Sequence, residues 1–353
     1  MRCGLVPTPR QSGKTTCCRT HPENTGRFPC RSNWALGCYT FSVRRLIVNA
    51  DDFGLTVGVN RAIIDTHLGG VVSSTTLMAN GAAFKDAVTA ARSVPSLSVG
   101  CHVVLVDGRP VSPPGGLDTL LAIRSAEPER FYSSLSAFSA RALLGGFDRD
   151  QLVEEVTAQI RKIQAAGIEV THLDSHKHAH IFPEILSALL RAAKICGVRA
   201  IRNPIVPIKA LPARLFKGKP QLWKRYGQVR MLQTFSRQFR NQTKRAGLLT
   251  PDGVIGVIET GSLGRDGNSA GTGEGASLLQ QTLAALPDGT WEFVCHPGYS
   301  DDDLRAAGTR LIESRDEERH LLCSPELREF LNKQKIELIG YREFVRISEE
   351  SRP

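Results

Sequence analysis

The 353-residue sequence has no apolar run near the length of about 20 residues that a transmembrane helix needs. It also lacks a clear signal peptide, a dinucleotide-binding glycine fingerprint and a serine nucleophile elbow. Ser12–Thr15 resembles a phosphate loop, but Thr8 stands where that loop needs its first glycine. These absences exclude a helical membrane span, Rossmann-type hydride transfer, and serine-elbow or P-loop chemistry.

The cysteines show no paired spacing, neither that of a zinc ribbon nor that of a disulfide framework. Five of the nine lie in the first 43 residues. The other four lie next to or within apolar runs: Cys101, Cys196, Cys295 and Cys323. We expect these four to be buried free thiols, and we expect the protein to work in a reducing cytoplasm.

Acidic residues are scarce at the start of the chain. Residues 1–45 hold eight Arg or Lys and one Glu, so +7 of the net charge of +10 belongs there. Residues 1–43 also lack hydrophobic periodicity, which predicts a disordered leader or a mis-assigned translation start, with a transit peptide as the alternative. The rest of the chain is only slightly basic, so we do not expect nucleic acid as a partner.

Residues 205–247 contain no Asp or Glu at all. Eleven basic residues lie between Lys209 and Arg245, and aromatic residues are interleaved with them. One interpretation is a basic helical insertion that faces anionic lipid or a glycolipid, peripheral to the inner membrane. The other is a solvated helical insertion whose aromatic side chains pack on the fold.

Short apolar runs alternate with helical patterns along residues 44–348. The predicted strands are 46–49, 71–78, 97–105, the His-rich run 171–180, 198–201, 253–258, 291–295 and 336–339. This alternation predicts a parallel sheet in a single domain, a (β/α) barrel of seven or eight strands. The active site of such a barrel lies at the carboxyl ends of its strands.

Polar residues with metal-binding or proton-transfer chemistry follow these strands. The run Thr171–Pro183 places five of them at alternate positions, so an extended strand would carry them on one face: His172, Asp174, His176, His178 and His180. Four further strands end in or contain others: Asp51, Asp52, His102, Arg202 and His296. A polar strand edge, with histidines meeting backbone carbonyls, is the structural alternative, but it does not explain why so many share one rim.

An Asp/His/His set suits Zn²⁺, or a harder divalent ion such as Mg²⁺ with waters completing its shell. Three protein ligands leave one position open for a water, whose pKa the ion can lower to about 7. A second carboxylate can take the proton of that water, and a histidine across the site can protonate a leaving group. These parts suit hydrolysis of an amide or ester.

Four motifs together resemble those of the YdjC-like carbohydrate deacetylases, the family of the chitooligosaccharide deacetylase ChbG and the hopanoid-associated HpnK. They are N-A-D-D-F-G at 49–54, G-C-H-V-V-L at 100–105, T-H-L-D-S-H-K-H-A-H at 171–180 and C-H-P-G-Y at 295–299. The run H-V-V-L-V-D-G-R-P-V at 102–111 is more similar to the HpnK branch of the family than to the chitobiose branch. The resemblance implies an irregular (β/α) barrel related to the polysaccharide deacetylases. It also implies hydrolysis of the N-acetyl group of an amino sugar, with acetate released.

The resemblance also implies a role for each matched residue. Asp52, His102 and His176 would bind the metal ion, Asp51 would be the general base and His296 the general acid. Arg202 would orient or tune Asp51. The remaining polar residues would contact the metal ligands or the substrate: Asp174, His178, His180 and Glu259.

Two other classes of function remain open at this point. One is a different metal-dependent sugar hydrolase or isomerase, because a fold does not fix a reaction. The other is a non-catalytic sugar- or lipid-binding protein. The substrate would be a glycolipid such as an N-acetylglucosaminyl hopanoid, or a chitooligosaccharide, and homo-oligomerisation is left open.

Overall fold

The computed structural model describes residues 43–122, 127, 129–207, 233–257 and 274–351, with only the backbone described for 274–278. Predictions about the leader up to residue 42, about residues 208–232 of the basic insertion and about Glu259 lie outside these ranges. The described residues belong to one compact unit that begins at residue 42.

Within the described ranges, seven parallel strands form one curled sheet with helices packed around it, a half-barrel that confirms the predicted α/β architecture. The strands run in the order β4-β3-β2-β1-β6-β5, with β7 also paired to β1. Their bounds are β1 (Arg44–Phe53), β2 (Ser74–Leu77), β3 (Ser98–Val103), β4 (Leu173–Ser175), β5 (Gly253–Ile255), β6 (Gly289–Cys295) and β7 (Ile336–Leu338).

The helices mostly begin and end at the residues that their sequence signals indicate. Thr56 caps the first helix by accepting from the Val59 amide, and Gly197 ends the fifth in the left-handed conformation. None of the helices described is long and apolar enough to cross a membrane. They are α1 (Val57–Leu68), α2 (Phe84–Ser93), α3 (Leu135–Leu143), α4 (Arg149–Ala165), α5 (Pro183–Cys196), α6 (Ser236–Ala246), α7 (Glu274–Ala284), α8 (Asp302–Ala306), α9 (Glu313–Cys323), α10 (Pro325–Lys333) and α11 (Tyr341–Glu350).

Strand β1 is the centre of the sheet. It pairs with β6 along 44–50 on one side, and on the other side with β7 at 44–46 and with β2 at 49–53. All its residues after the first two are buried, as expected for a parallel strand covered on both faces. Its carboxyl end therefore delivers Asp51 and Asp52 into the interior of the curled sheet.

The predicted strand at 198–201 is wrong as a full strand, because only isolated bridges form there. Ala200 pairs with Leu249 and Ile201 with Leu173, and the carbonyl of Ile205 accepts from Val254 in β5. Pro204, which has no backbone N–H to donate, interrupts the ladder. This segment thus links the β4 edge of the sheet to the β5 edge and places Arg202 between them.

The His-rich run does not stay extended, so the expectation that its five polar residues share one face is wrong. Strand β4 ends at Ser175, and 176–181 form a 3₁₀ turn in which Lys177 and His178 have left-handed φ values of 55° and 53°. The Ser175 hydroxyl accepts from the His180 amide at 2.9 Å and holds the turn. His176 therefore points to a different place from His178 and His180.

The described residues between 107 and 148 include α3, and the first of them are hydrogen-bonded to the body of the fold. The carboxylate of Glu155 on α4 is completely buried, and it accepts from the backbone amides of Val111 and Ser112 at 2.9 Å each. Gln159 donates to the same carboxylate at 2.8 Å and bonds both backbone groups of Val104. A carboxylate on a rigid helix thus fixes the start of this loop.

Replacing Glu155 should destabilise the protein because three buried donors would lose their acceptor. We expect Glu155→Ala to cost about 3 kcal/mol of unfolding free energy, measured by denaturant titration. Amide hydrogen exchange at Val111 and Ser112 should quicken. The exposed neighbour Glu154 on the same helix provides the control, and Glu154→Ala should stay within about 0.5 kcal/mol of the native protein. Equal losses from the two variants would contradict this role of Glu155.

Candidate active site

The carboxyl ends of the central strands bring most of the predicted site residues together. Asp51 and Asp52 come from β1, His102 from β3 and Asp174 from β4, while His176 follows β4 directly. Asp52 has a left-handed φ of 67°, a strained conformation for a residue other than glycine. Strain of this kind persists where surrounding contacts enforce it, so the contacts of Asp52 must hold its backbone in this conformation.

Three donor atoms form a nearly equilateral triangle. Asp52 Oδ1 lies 3.5 Å from His102 Nε2 and 3.4 Å from His176 Nδ1, and the two ring nitrogens are 3.4 Å apart. A point equidistant from all three lies about 2 Å from each, the length of Zn–N and Zn–O bonds. Asp52 Oδ1 is buried and has no hydrogen-bond partner among the described residues. The three residues could therefore hold a divalent ion.

Asp174 orients one of these donors. Its Oδ1 lies 2.8 Å from His102 Nδ1, and the hydroxyl of Thr76 donates to its Oδ2 at 3.0 Å. Burial alone would lower the pKa of His102, but the Asp174 carboxylate raises this pKa to about 9. A carboxylate on the far nitrogen fixes the ring and leaves Nε2 facing the triangle, an arrangement that is common behind metal-bound histidines.

Arg202 is completely buried and binds three carboxylates. Its Nη1 and Nη2 donate to Asp51 at 2.8 and 2.6 Å, Nη1 also lies 2.6 Å from Asp174, and Nε donates to Glu292 at 2.8 Å. Burial alone would raise the pKa of Asp51, but this guanidinium lowers it well below the usual range. Asp51, His102 and Asp174 also form a cluster that could hold a metal ion. Arg202, however, already supplies a positive charge to both of its carboxylates.

Glu292 and Tyr341 are parts of this network that the sequence analysis missed. Burial raises the pKa of Glu292 to about 7, and the Tyr341 hydroxyl donates to it at 2.6 Å. Tyr341 also stacks on His172, with ring centroids 3.5 Å apart. A charged residue inside the apolar run of β6 was the available signal for Glu292.

His296 approaches from the end of β6. Its Nε2 lies 3.9 Å from Asp51 Oδ2, so both groups can face one small substrate group. Its backbone amide donates to Glu318 on α9 at 2.6 Å, and its Nδ1 is buried without a partner in the described part of the chain. Glu318 carried no signal in the sequence, because α9 reads as an ordinary mixed-charge helix.

The remaining histidines of the run lie outside the donor triangle. His172 is buried between Thr171 and Asn49, at 2.9 and 3.1 Å. His180 contacts the Ser175 hydroxyl at 2.6 Å, and burial lowers its pKa well below the usual range. Both are structural in these contacts.

His178 differs from them because it lines a cavity. Burial, with Arg202 adding to it, lowers its pKa to about 3, so the ring is neutral at pH 7. The ring borders a cavity of about 30 Å³ with Ile181, Ile205 and Val206, and its buried Nδ1 has no partner within the described ranges. Its position suits a contact with a bound molecule.

Comparison with known proteins gives consistent matches. The family model for YdjC-like proteins matches residues 45–333. This chain is similar to two proteins named carbohydrate deacetylase. The one from Geobacillus stearothermophilus is 31% identical, and the match covers 86% of this chain and 99% of that protein. The one from Brevibacillus brevis is 30% identical, and the match covers 85% of this chain and 99% of that protein.

A solved structure supports the fold alone. It is a protein from Enterococcus faecalis V583 whose name proposes cellobiose-phosphate cleavage. The match has a TM-score of 0.64 at 24% identity, and it covers 86% of this chain and 99% of that chain.

The family model matches well over half of this chain, so the chain belongs to the YdjC-like family.

Proposed function

We propose that this chain is a divalent-metal-dependent hydrolase that removes the N-acetyl group from an acetylated amino sugar. The observation that carries the proposal is the Asp52–His102–His176 triangle lying within reach of Asp51 and His296. The names of the relatives add the substrate class, since those proteins are called carbohydrate deacetylases. Zn²⁺ or Mg²⁺ would suit one carboxylate oxygen and two imidazoles with water.

A divalent ion on these donors would acidify a coordinated water and polarise the acetamide carbonyl. Asp51 is held ionised by Arg202, so its carboxylate is ready to accept a proton at pH 7. The same pairing makes Asp51 a weak base, so it would hold that proton only briefly. Arg202 fixes the direction of both carboxylate oxygens, and Glu292 and Asp174 fix Arg202.

His296 would supply a proton to the departing amine. Its Nε2 is close to Asp51 Oδ2, so base and acid flank one position. The hydrogen bond from its amide to Glu318 fixes the backbone behind the ring. Cleavage of an amide bond requires a proton donor within reach of the departing nitrogen, and a fixed His296 would meet that requirement.

The cavity beside His178 would take the methyl end of the acetyl group. Ile181, Ile205 and Val206 supply an apolar wall, and the volume of about 30 Å³ is enough for one small group. The Nδ1 of His178, which has no hydrogen-bond partner among the described residues, would bond the substrate. The sugar itself would be the head of a glycolipid, as in the HpnK branch, or a chitooligosaccharide.

The decisive test is acetate release from N-acetylglucosaminides, both glycolipid and soluble. We expect release to stop after chelation and to return when Zn²⁺ or Mg²⁺ is added back. The ranking of substrates would separate the glycolipid class from the oligosaccharide class. Phosphate release instead, or tight sugar binding without turnover while metal is bound, would favour the alternative functions.

Replacing the base should separate catalysis from metal binding. Asp51→Asn should lower acetate release by about 10²–10⁴-fold, while metal affinity stays within a few-fold, because Asp51 is not one of the three donors. Arg202 would keep Asp174 and Glu292 as partners, so the variant should fold. The exposed Asp302→Asn is the matched control. Full activity of Asp51→Asn would show that another group accepts the proton.

We also propose a peripheral contact with anionic lipid at α6. Its buried residue Phe239 faces the fold, whereas its basic residues are exposed: Arg237, Arg240, Lys244 and Arg245. Leu143 is exposed and lines a groove together with Phe235. Leu144, the next residue after Leu143, is 85% exposed. Basic and apolar side chains on one surface suit a membrane interface. The buried Phe239 agrees equally with a solvated helix, so vesicle binding separates the two interpretations.

Full-length protein should sediment with vesicles that contain anionic lipid and not with neutral vesicles. Removing two charges with Arg237→Gln and Arg240→Gln should weaken binding about 30-fold, at about 1 kcal/mol for each charge. The control pair Lys333→Gln and Arg346→Gln, also exposed, lies on α10 and α11. No sedimentation with anionic vesicles, or equal losses in both pairs, would leave α6 as a solvated helix. Equal binding to neutral vesicles would contradict a contact that selects anionic lipid.

A further inference from the structure

Arg315 enters the site from α9 and is almost completely buried, with 1% of its side chain exposed. Its Nη2 donates to Asp52 Oδ2, and its Nε donates to the Leu311 carbonyl at 3.1 Å. Arg315 therefore neutralises the one carboxylate in the donor triangle.

The two oxygens of Asp52 have different surroundings. Oδ2 is bonded to Arg315, whereas Oδ1 faces the two histidine nitrogens and has no hydrogen-bond partner in the described residues. A free carboxylate can bind an ion through one oxygen or through both. With Oδ2 engaged, only Oδ1 is available.

Gly298, in the C-H-P-G-Y motif, leaves the space that Arg315 needs. A Cβ at this position would lie 2.9 Å from Cδ and 3.2 Å from Cβ of Arg315, and 3.3 Å from Val59. The Gly298 amide also donates to the Arg315 carbonyl at 3.2 Å. The need for glycine here comes from close packing, since its φ is not in the left-handed region.

The same helix also holds the opposite side of the site. Glu318 lies three residues after Arg315, on the same face of α9, and accepts from the backbone amide of His296. A movement of α9 would therefore shift the donor Asp52 and the proposed acid His296 together. This arrangement connects two groups that lie at the ends of different strands, β1 and β6.

We propose that Arg315 is a positioning residue that restricts Asp52 to a single oxygen toward a bound divalent ion. Gly298 admits Arg315 to that position. This inference rests on the proposed metal-dependent function and extends it to residues beyond the three donors. Partners of this kind behind metal ligands typically contribute 10–100-fold to metal affinity.

The test measures metal binding directly. Metal-free native protein, Arg315→Gln, Arg315→Lys and Gly298→Ala are titrated with Zn²⁺ by calorimetry, and with Co²⁺ by visible absorption. We expect Arg315→Gln to bind Zn²⁺ about 10–100-fold more weakly, because an Asp52 carboxylate that turns freely no longer presents Oδ1 to the two histidine nitrogens in the fixed geometry of the triangle. Its Co²⁺ spectrum should weaken and shift, because in the altered site both Asp52 oxygens can contact the ion and raise the coordination number. Arg315→Lys should recover part of the affinity, since it keeps the charge but loses the planar fork.

Gly298→Ala provides an independent variant, because it keeps every charge and only displaces Arg315. It should move the affinity and the Co²⁺ spectrum in the same direction as Arg315→Gln. Circular dichroism and thermal unfolding establish which variants are folded. If Arg315→Gln does not fold, Gly298→Ala and Arg315→Lys decide the outcome. The exposed Arg310→Gln serves as the matched control and should bind like the native protein.

Native affinity and spectrum in the folded variants would overturn the positioning role. Native protein that binds and is activated by metal would at the same time leave the proposed function standing. If the native protein binds no divalent ion, both the proposed function and this inference fail. If it binds the ion but releases no acetate, the reaction is wrong, while the titrations still decide the role of Arg315.

Discussion

The rest of the site depends on the ion pairs that the buried guanidinium of Arg202 forms with three carboxylates. It bonds carboxylates from β1, β4 and β6, and it lies on the segment that links the two edges of the sheet. Buried carboxylates so close together would repel one another without this cation. The same contact therefore stabilises the curled sheet and fixes the direction of Asp51. The contacts of Arg202 that hold the edges of the sheet together are thus the same contacts that orient the proposed base Asp51.

A second arginine performs a parallel task on the other carboxylate. Asp51 and Asp52 are adjacent in β1, and each has its own buried arginine, Arg202 on one side and Arg315 on the other. This pairing allows two neighbouring carboxylates to remain ionised in the interior. Asp51 can then serve as the proposed base while Asp52 serves as a proposed metal ligand. Beyond them, Asp174 orients His102 and Glu318 holds the backbone of His296.

Much of this arrangement was predictable from the sequence, because parallel strands bring their carboxyl ends to one rim. Asp51, Asp52 and His102 lie on or at the end of clear apolar strands, so their convergence follows from strand order alone. The course of the chain beyond Ser175 was not predictable, since nothing in the residue types of Lys177 and His178 indicates left-handed backbone. Arg315 was missed for another reason. It is one of several charged residues on a mixed-charge helix, and only tertiary packing shows which of them is buried.

The donor triangle has a consequence for the folding of the chain. Its members are far apart in sequence, with His102 and His176 alone separated by 74 positions, so no short stretch of unfolded chain presents them together. An ion held by all three would bind the native state and not the denatured ensemble. Its whole binding free energy would then add to the stability of the fold and would rise with the logarithm of the free ion concentration. The metal supply of the cell would thereby govern the lifetime of the folded protein as well as its chemistry.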